Sequence, residues 1–127
     1  MKKILNTMAH VLTDEQIIDL NNMFTQNNIS NLRDIDSELF KQLSNINADS
    51  SLNDLVNQLL SITKEFDIII LPIGSPAFMF KFARRTKGIM DKNFLFAHSD
   101  RISIEKQNED GTVTKTNIFK HVKFLVM

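Results

Sequence analysis

The stretch Asp67-Ile68-Ile69-Ile70-Leu71-Pro72-Ile73-Gly74-Ser75-Pro76-Ala77-Phe78 decides the fold of this chain. Its first part is apolar and mostly β-branched, which predicts a strand buried on both faces. A Gly-Ser-Pro turn follows, and the pattern then becomes helical. Ser75 is of a type that caps helices, and Pro76 fits the first helical position, where a missing N–H costs nothing. The stretch therefore predicts a strand, a tight turn and the open N-terminus of a helix.

This arrangement is typical of an anion site, because unpaired N–H groups point outward and the helix dipole favours negative charge. In open α/β sheets such sites lie at the carboxyl ends of the strands. Gly74, Pro76 and Ala77 are therefore predicted to bind a phosphate, and Ser75 is counted among the candidate catalytic residues. The alternative is a plain turn between strand and helix, in which glycine and a serine cap are common.

The length and composition limit the class of protein. A chain of 127 residues suits one domain, residues 1–127, with a single core. The absence of cysteine excludes disulfides and thiolate metal sites and fits a reducing cytoplasm. No stretch predicts a signal peptide or a membrane span, so we expect a cytoplasmic protein without membrane contact. A formal net charge of zero argues against a general binder of long nucleic acid, but not against a local site for a small anion.

Strand and helix patterns alternate before the deciding stretch. Residues 3–8 and 29–33 predict short strands. Thr13 can cap a helix and Gln16 can complete its capping box, while Asp36 can cap a second helix. A third helix is predicted from Leu52 to about residue 64 by its apolar spacing.

The pattern changes after the deciding stretch. The next helix has almost no polar face in its first two turns, which predicts burial on more than one side, and Gly88 fits its end. Residues 93–98 and 101–105 predict two strands, and residues 108–111 predict a hairpin turn before a last strand over 112–127. We therefore expect an α/β protein: a Rossmann-like three-layer sandwich whose mostly parallel central sheet ends in a C-terminal antiparallel β-hairpin.

Side chains from a second loop are predicted to reach the same edge of the sheet as the Gly-Ser-Pro turn. His10 follows the first strand, and a histidine there could bind phosphate or act as an acid or base. Asn6 and Thr7, at the end of that strand, could hydrogen-bond a base or a ribose. A surface histidine without function is the alternative for His10.

Three further residues are weaker candidates. His98 and Arg101 follow the fourth predicted strand, and the guanidinium of Arg101 could bind phosphate in a bidentate fashion. An ordinary salt bridge is the alternative for Arg101, and His121 is more typical of a structural histidine. The histidines lack the spacing of a metal site, so neither a metal nor a cofactor is expected.

Several segments together resemble one family. They are His10-Val11-Leu12-Thr13-Asp14-Glu15-Gln16, Ile73-Gly74-Ser75-Pro76-Ala77, the Arg101-x-Ser-x-Glu105 pattern with Asp110-Gly111, and Phe119-Lys120-His121-Val122-Lys123-Phe124. In order and spacing the chain resembles the small CRISPR-associated proteins of type III systems, Rossmann-like relatives of the CARF sensor domains. The likeness covers most of the chain but is poor over residues 27–65, and the family has a more Gly- and Asp-rich loop at the position of the turn.

The resemblance implies a ring nuclease that binds and cleaves a cyclic oligoadenylate, with cyclic tetra-adenylate as the expected ring, and so switches off type III CRISPR antiviral signalling. A symmetric ring suits a homodimer, and the apolar helix after Ser75 could form its interface. Cleavage would be metal-independent: the ligand's own 2′-hydroxyl attacks, with His10, Ser75 and Arg101 as the catalytic residues. The alternatives are a sensor or sponge that binds the same ligand without cutting it, and a small scaffold that binds only proteins.

Overall fold

Strands and helices alternate along most of the chain in a computed structural model that describes residues 1–87 and 93–127. The strands are β1 (Lys2–Asn6), β2 (Asn27–Asn31), β3 (Ile68–Leu71), β4 (Asn93–Gln107) and β5 (Val113–Val126). The helices are α1 (Asp14–Met23), α2 (Leu32–Ile35), α3 (Ser37–Ser44), α4 (Leu52–Thr63) and α5 (Pro76–Thr86).

The strands form one curled sheet in the order β2-β1-β3-β4-β5. Strands β1 to β4 are parallel, and β5 returns antiparallel beside β4. The expected α/β class, the mostly parallel sheet and the C-terminal antiparallel hairpin are thereby confirmed. The β3 strand lies at the centre with all four residues buried, as its unbroken apolar sequence predicts.

Alternate residues of the central strands belong to two different core clusters, because successive side chains of a strand point to opposite faces. Ile4 and Ile68 pack in a cluster with Leu20 of α1. Leu5 and Ile69 belong to the other cluster, to which α3, α4 and α5 contribute Leu39, Leu43, Leu55, Val56, Leu59, Phe78 and Phe82. Helix α1 is thus separated from the later long helices by the strands between them.

Two predicted helix caps are present, those of α1 and α3. The Thr13 hydroxyl accepts the Gln16 amide at 3.2 Å, and the Gln16 side chain accepts the Thr13 amide at 3.0 Å. The Asp36 carboxylate accepts the amide of Leu39 at 3.0 Å and caps α3. These bonds satisfy amides that a helix start otherwise leaves without a partner. Each involves residues three apart, which is why the sequence alone predicts them.

Two expectations differ from the structure. The separate strands expected at 93–98 and 101–105 are one continuous strand, β4, because β5 pairs with it along most of its length. In α5 only one side is buried: Phe78 and Phe82 are covered, whereas Phe80 is 67% exposed. The expected end of this helix at Gly88 lies outside the described residues.

The β4–β5 ladder contains a bulge that changes which side chains share a face. His98 pairs with Lys123 but Ser99 pairs with His121, so Val122 is the extra residue. A regular strand would place residues three apart on opposite faces. Because of the bulge, the rings of His121 and Phe124 lie on one face, with their centroids 4.8 Å apart.

Candidate ligand-binding cavity

A cavity of about 1030 Å³ opens at the carboxyl ends of the central strands. Three segments line it: the loop after β1 with the start of α1, the turn after β3, and facing parts of β4 and β5. The residues that line it include His10, Asp14, Glu15, Gly74, Ser99, Phe119, Lys120 and His121. The structure therefore brings the His10 loop and the Gly74 turn to one cavity, as the sequence predicts for loops after neighbouring parallel strands.

His10 lies exposed in the cavity wall with one ring nitrogen already engaged. Its Nδ1 is 2.7 Å from the carbonyl oxygen of Val11. A carbonyl only accepts, so Nδ1 carries the hydrogen of this bond. Nε2 forms no hydrogen bond with a described residue. It is therefore available to accept a hydrogen bond when the ring is neutral, or to donate one when the ring is protonated.

The Gly-Ser-Pro turn lies between the large cavity and a smaller one of about 270 Å³. Gly74 lines both, and Ser75 lines the smaller. The Ser75 oxygen accepts the amide of Phe78 at 3.2 Å, and Pro76 is the first residue of α5, so both predictions for the helix start are confirmed. The amides of Gly74, Ser75 and Ala77 have no partner among the described residues. They can bind an anion, although Pro76 and Ala77 do not line either cavity.

Asn6 and Thr7 make their hydrogen bonds within the chain. The Asn6 amide donates to the His10 carbonyl and to Oδ1 of Asn31, both at 3.0 Å, and its oxygen accepts the Met8 amide at 3.1 Å. Thr7 donates to the Ile70 carbonyl at 2.6 Å. Both side chains are buried. Asn6 therefore shapes the His10 loop, and Thr7 reaches only the wall of the smaller cavity.

Arg101 and His98 do not line the large cavity. Arg101 is exposed on β4 opposite Phe119, two residues beyond Ser99 and hence on the same face of the hairpin. It forms no ion pair with a described residue. His98 lies on the opposite face, 3.6 Å from the carboxylate of Asp100. The structure thus places His98 away from the group formed by His10 and Gly74, whereas Arg101 lies on the cavity face of the hairpin, just beyond the lining residues.

A contact that the sequence does not predict joins His121, a residue of the same cavity wall, to Asp19 of α1. His121 Nε2 is 3.0 Å from Oδ2 of Asp19 on α1, and the His121 side chain is only 6% exposed. Its Nδ1 is buried and has no hydrogen-bond partner among the residues that the structure describes. No sequence motif joins two residues 102 positions apart. The one signal in the sequence is that His121 is a polar residue within the apolar pattern of β5. This signal indicates a structural histidine as readily as a histidine of a functional site.

One family of known proteins matches almost the whole chain. The model of that family, described as the uncharacterized protein MJ1673 family, matches residues 2–125. The chain belongs to this MJ1673 family. No curated protein and no solved structure gave a significant match.

The cavity of this MJ1673 family member has carboxylates on its wall. Asp14 and Glu15 are exposed in the first turn of α1, where the helix dipole favours them. Lys120 also lines the cavity, but it pairs with Asp100 across the ladder, so its side chain lies on the face of the hairpin opposite His121. Because carboxylates repel phosphates, an anionic group would bind nearer to Gly74 than to the start of α1.

Two other features are absent from the described part of this family member. Across residues 1–87 and 93–127, no three histidine, aspartate or glutamate side chains are grouped as metal ligands. No helix in those ranges is long and apolar enough to cross a membrane.

Proposed function

We propose that this chain is a ring nuclease that binds a cyclic oligoadenylate, with cyclic tetra-adenylate as the first candidate. One observation carries the proposal: the large cavity joins His10, Gly74 and His121 at the carboxyl edge of a mostly parallel sheet. These groups suit a ligand that combines phosphates with hydroxyls and bases. In this proposal the protein acts in the cytoplasm and switches off type III CRISPR signalling.

The proposal includes a fold of the Rossmann-like, three-layer class, related to CARF domains. The two core clusters support it, since Leu20 of α1 and Phe78 of α5 pack with alternate residues of the same strands. The curling of the sheet and its antiparallel fifth strand distinguish this chain from a regular doubly wound sheet.

Ligand size and symmetry favour a homodimer. A cavity of about 1030 Å³ is at the upper end of the usual range for small-molecule sites, about 300–1,000 Å³. It has room for part of a cyclic tetranucleotide, and a two-fold partner would supply an identical site for the rest. The exposed Phe80 on α5 is an apolar group that such an interface would cover.

The proposed chemistry requires positioning and charge stabilisation. A ribose 2′-hydroxyl attacks the adjacent phosphorus, and the P–O5′ bond breaks to give a 2′,3′-cyclic phosphate. The amides of Gly74 and Ser75 would stabilise charge on the phosphoryl oxygens. His10 offers Nε2 for proton transfer or for a hydrogen bond to the ligand.

A sensor or sponge that binds the same ligand intact is the second candidate. Arg101, the guanidinium expected to stabilise the transition state, lies outside the cavity wall. Asp14 and Glu15 also reduce the positive potential there. Both observations favour binding without strong charge stabilisation of a transition state.

Incubation of the protein with cyclic tetra-adenylate in EDTA, followed by chromatography of the products, tests the proposal. A linear product ending in a 2′,3′-cyclic phosphate is expected. Cleavage that appears only after a divalent metal is added would refute the metal-independent route. Tight binding in calorimetry with the ligand recovered intact would favour the sensor, and the absence of both binding and cleavage would refute both functions.

A further inference from the structure

Phe119 is an apolar side chain on an otherwise polar part of the hairpin surface. The β4–β5 pairs are regular from Ser99 and His121 toward the tip, so paired residues share a face, as does every second residue of each strand. Over residues 99–105 and 115–121, the face of Phe119 otherwise carries only polar or charged side chains. These are Ser99, Arg101, Ser103 and Glu105 on β4, with Lys115, Asn117 and His121 on β5.

The ring of Phe119 is open to solvent in the wall of the large cavity. Phe119 lines this cavity and is 75% exposed, and no other aromatic ring of the described residues stacks on it. The contact of His121 with Asp19 turns this face of the hairpin toward α1, whose first turn lines the cavity from the other side. A ligand in the cavity can therefore reach the Phe119 ring.

A flat aromatic ligand fits this position better than a protein surface does. A protein interface needs a contiguous apolar patch. The hairpin carries such a patch on its other face, where Ile102, Ile104 and Ile118 lie together. A single ring among polar groups instead suits one nucleobase, which offers a π-face to the ring and polar edges to its neighbours.

Arg101 supplies the positive charge that a nucleotide requires beside such a ring. It pairs directly with Phe119, and the Cβ atoms of such a pair are about 5 Å apart. Arg101 is exposed and forms no ion pair within residues 1–87 or 93–127. Glu105, a carboxylate on the same face, is paired with Lys115 at 3.5 Å. The guanidinium is thus available to bind a phosphate in a bidentate fashion.

We propose that Phe119 and Arg101 form an adenylate subsite, in which the Phe119 ring stacks on one adenine of the ligand and Arg101 binds the phosphate of that nucleotide. The subsite rests on the proposed function and deepens it by naming residues that hold a base. Gly74 lies in a separate segment of the cavity wall, so a ring with several phosphates would be held at two places. A nuclease and a sensor would use this subsite alike.

Calorimetric binding of cyclic tetra-adenylate to the wild type and to variants of both residues tests the subsite. Phe119→Leu keeps an apolar side chain without a ring, so about 5- to 100-fold weaker binding is expected, the range for loss of a stacked aromatic. Phe119→Tyr keeps the ring and should bind like the wild type. Arg101→Gln should bind about 10-fold more weakly and with a smaller dependence on salt. Ile104→Ala, 47% exposed on the opposite face, is the matched control and should leave affinity unchanged.

A readout independent of affinity is the NMR signal of the Phe119 ring protons, assigned by its loss in Phe119→Leu. Cyclic tetra-adenylate should move this signal upfield, because a stacked base shields the ring, whereas inorganic phosphate should not. Phe119→Leu that binds as tightly as the wild type, or a ring signal that the ligand does not move, would overturn the subsite while the proposed function stands. A wild type that neither binds nor cleaves would overturn both.

Discussion

The side-chain amide of Asn6 donates to Oδ1 of Asn31 at 3.0 Å, and this bond joins the ends of the neighbouring parallel strands β1 and β2. The same amide donates to the carbonyl of His10, and the Asn6 oxygen accepts the Met8 amide. One buried side chain therefore holds both the strand ends and the loop that carries His10.

Replacing Asn6 with alanine should both lower the stability of the folded state and displace His10. Loss of the three bonds leaves buried polar groups without partners, so we expect about 2–3 kcal/mol less free energy of unfolding. Urea unfolding measures this loss, and Asn53→Ala on the exposed surface of α4 is the matched control. If both variants unfold at the same urea concentration, Asn6 does not have this role.

Ser75 offers a way to separate capping from anion binding. Ser75→Ala should lower the free energy of unfolding by about 1 kcal/mol, since the amide of Phe78 loses its acceptor. Ser75→Asp keeps an acceptor and should keep stability, but its negative charge should weaken binding of cyclic tetra-adenylate. Thermal unfolding and calorimetry measure the two effects. Equal affinities for Ser75→Asp and Ser75→Asn would contradict an anion site at this turn.

Two glycines are expected to respond in opposite ways to alanine. A Cβ at Gly74 would meet no atom of residues 1–87 or 93–127 within 4 Å, and Gly74 does not have a positive φ. Gly74→Ala should therefore retain stability or gain up to about 1 kcal/mol by restricting the unfolded chain. Gly111, in the hairpin turn, has a φ of 85°, so Gly111→Ala should cost about 1–2 kcal/mol. Denaturant curves of the two variants that coincide would contradict this difference.

The hairpin turn should lose stability in acid because of one carboxylate. The hydroxyl of Thr112 donates to Oδ1 of Asp110 at 2.6 Å and its amide donates at 3.0 Å, and these bonds lower the pKa of Asp110. A lowered pKa means that the stabilisation is complete above the ordinary value, about 3.9, and is lost as the pH falls through the folded-state value. Carboxyl NMR titration should show the lowered midpoint, and Thr112→Val should raise it. A midpoint unchanged by Thr112→Val would contradict this cause.

Phe80 tests the proposed homodimer. It is 67% exposed on α5, with the guanidinium of Arg84 5.8 Å from its ring centre. If α5 forms the two-fold interface, Phe80→Glu should give a monomer in sedimentation equilibrium while the wild type is a dimer. Ile35→Glu, an exposed apolar position on α2, should leave the dimer intact. A wild type that sediments as a monomer would contradict the interface.

The parts of the fold that the sequence predicts are those determined by nearby residues. Thr13 and Gln16, Asp36 and Leu39, and Ser75 and Phe78 are each three residues apart, so a residue type and a spacing are enough to predict the caps. Four consecutive buried apolar residues likewise identify β3 as a central strand. The meeting of the His10 loop with the Gly74 turn follows from parallel strand order.

The rest depends on packing over long distances. The contact between Asp19 and His121 requires α1 to lie against β5 in one register, which a bulge at Val122 adjusts. The apolar start of α5 led to the wrong prediction that this helix is buried on more than one side. Composition shows which residues can be buried, but only packing decides that Phe80 is exposed. Arg101 has suitable chemistry, but its place on β4 leaves it outside the cavity wall.

The bulge lets β5 take up Val122 as an extra residue without changing the partners on either side of it. Deletion of this one residue would restore regular pairing and leave His121 opposite Ser99 and Phe124 opposite Ala97, so both rings would keep their face. A homologue shortened by one residue here could therefore keep a histidine in the cavity with only one residue between the histidine and the phenylalanine. Sequence searches for the same site should accept both spacings, and a crystal structure of the Val122 deletion would show whether the imidazole stays on its side.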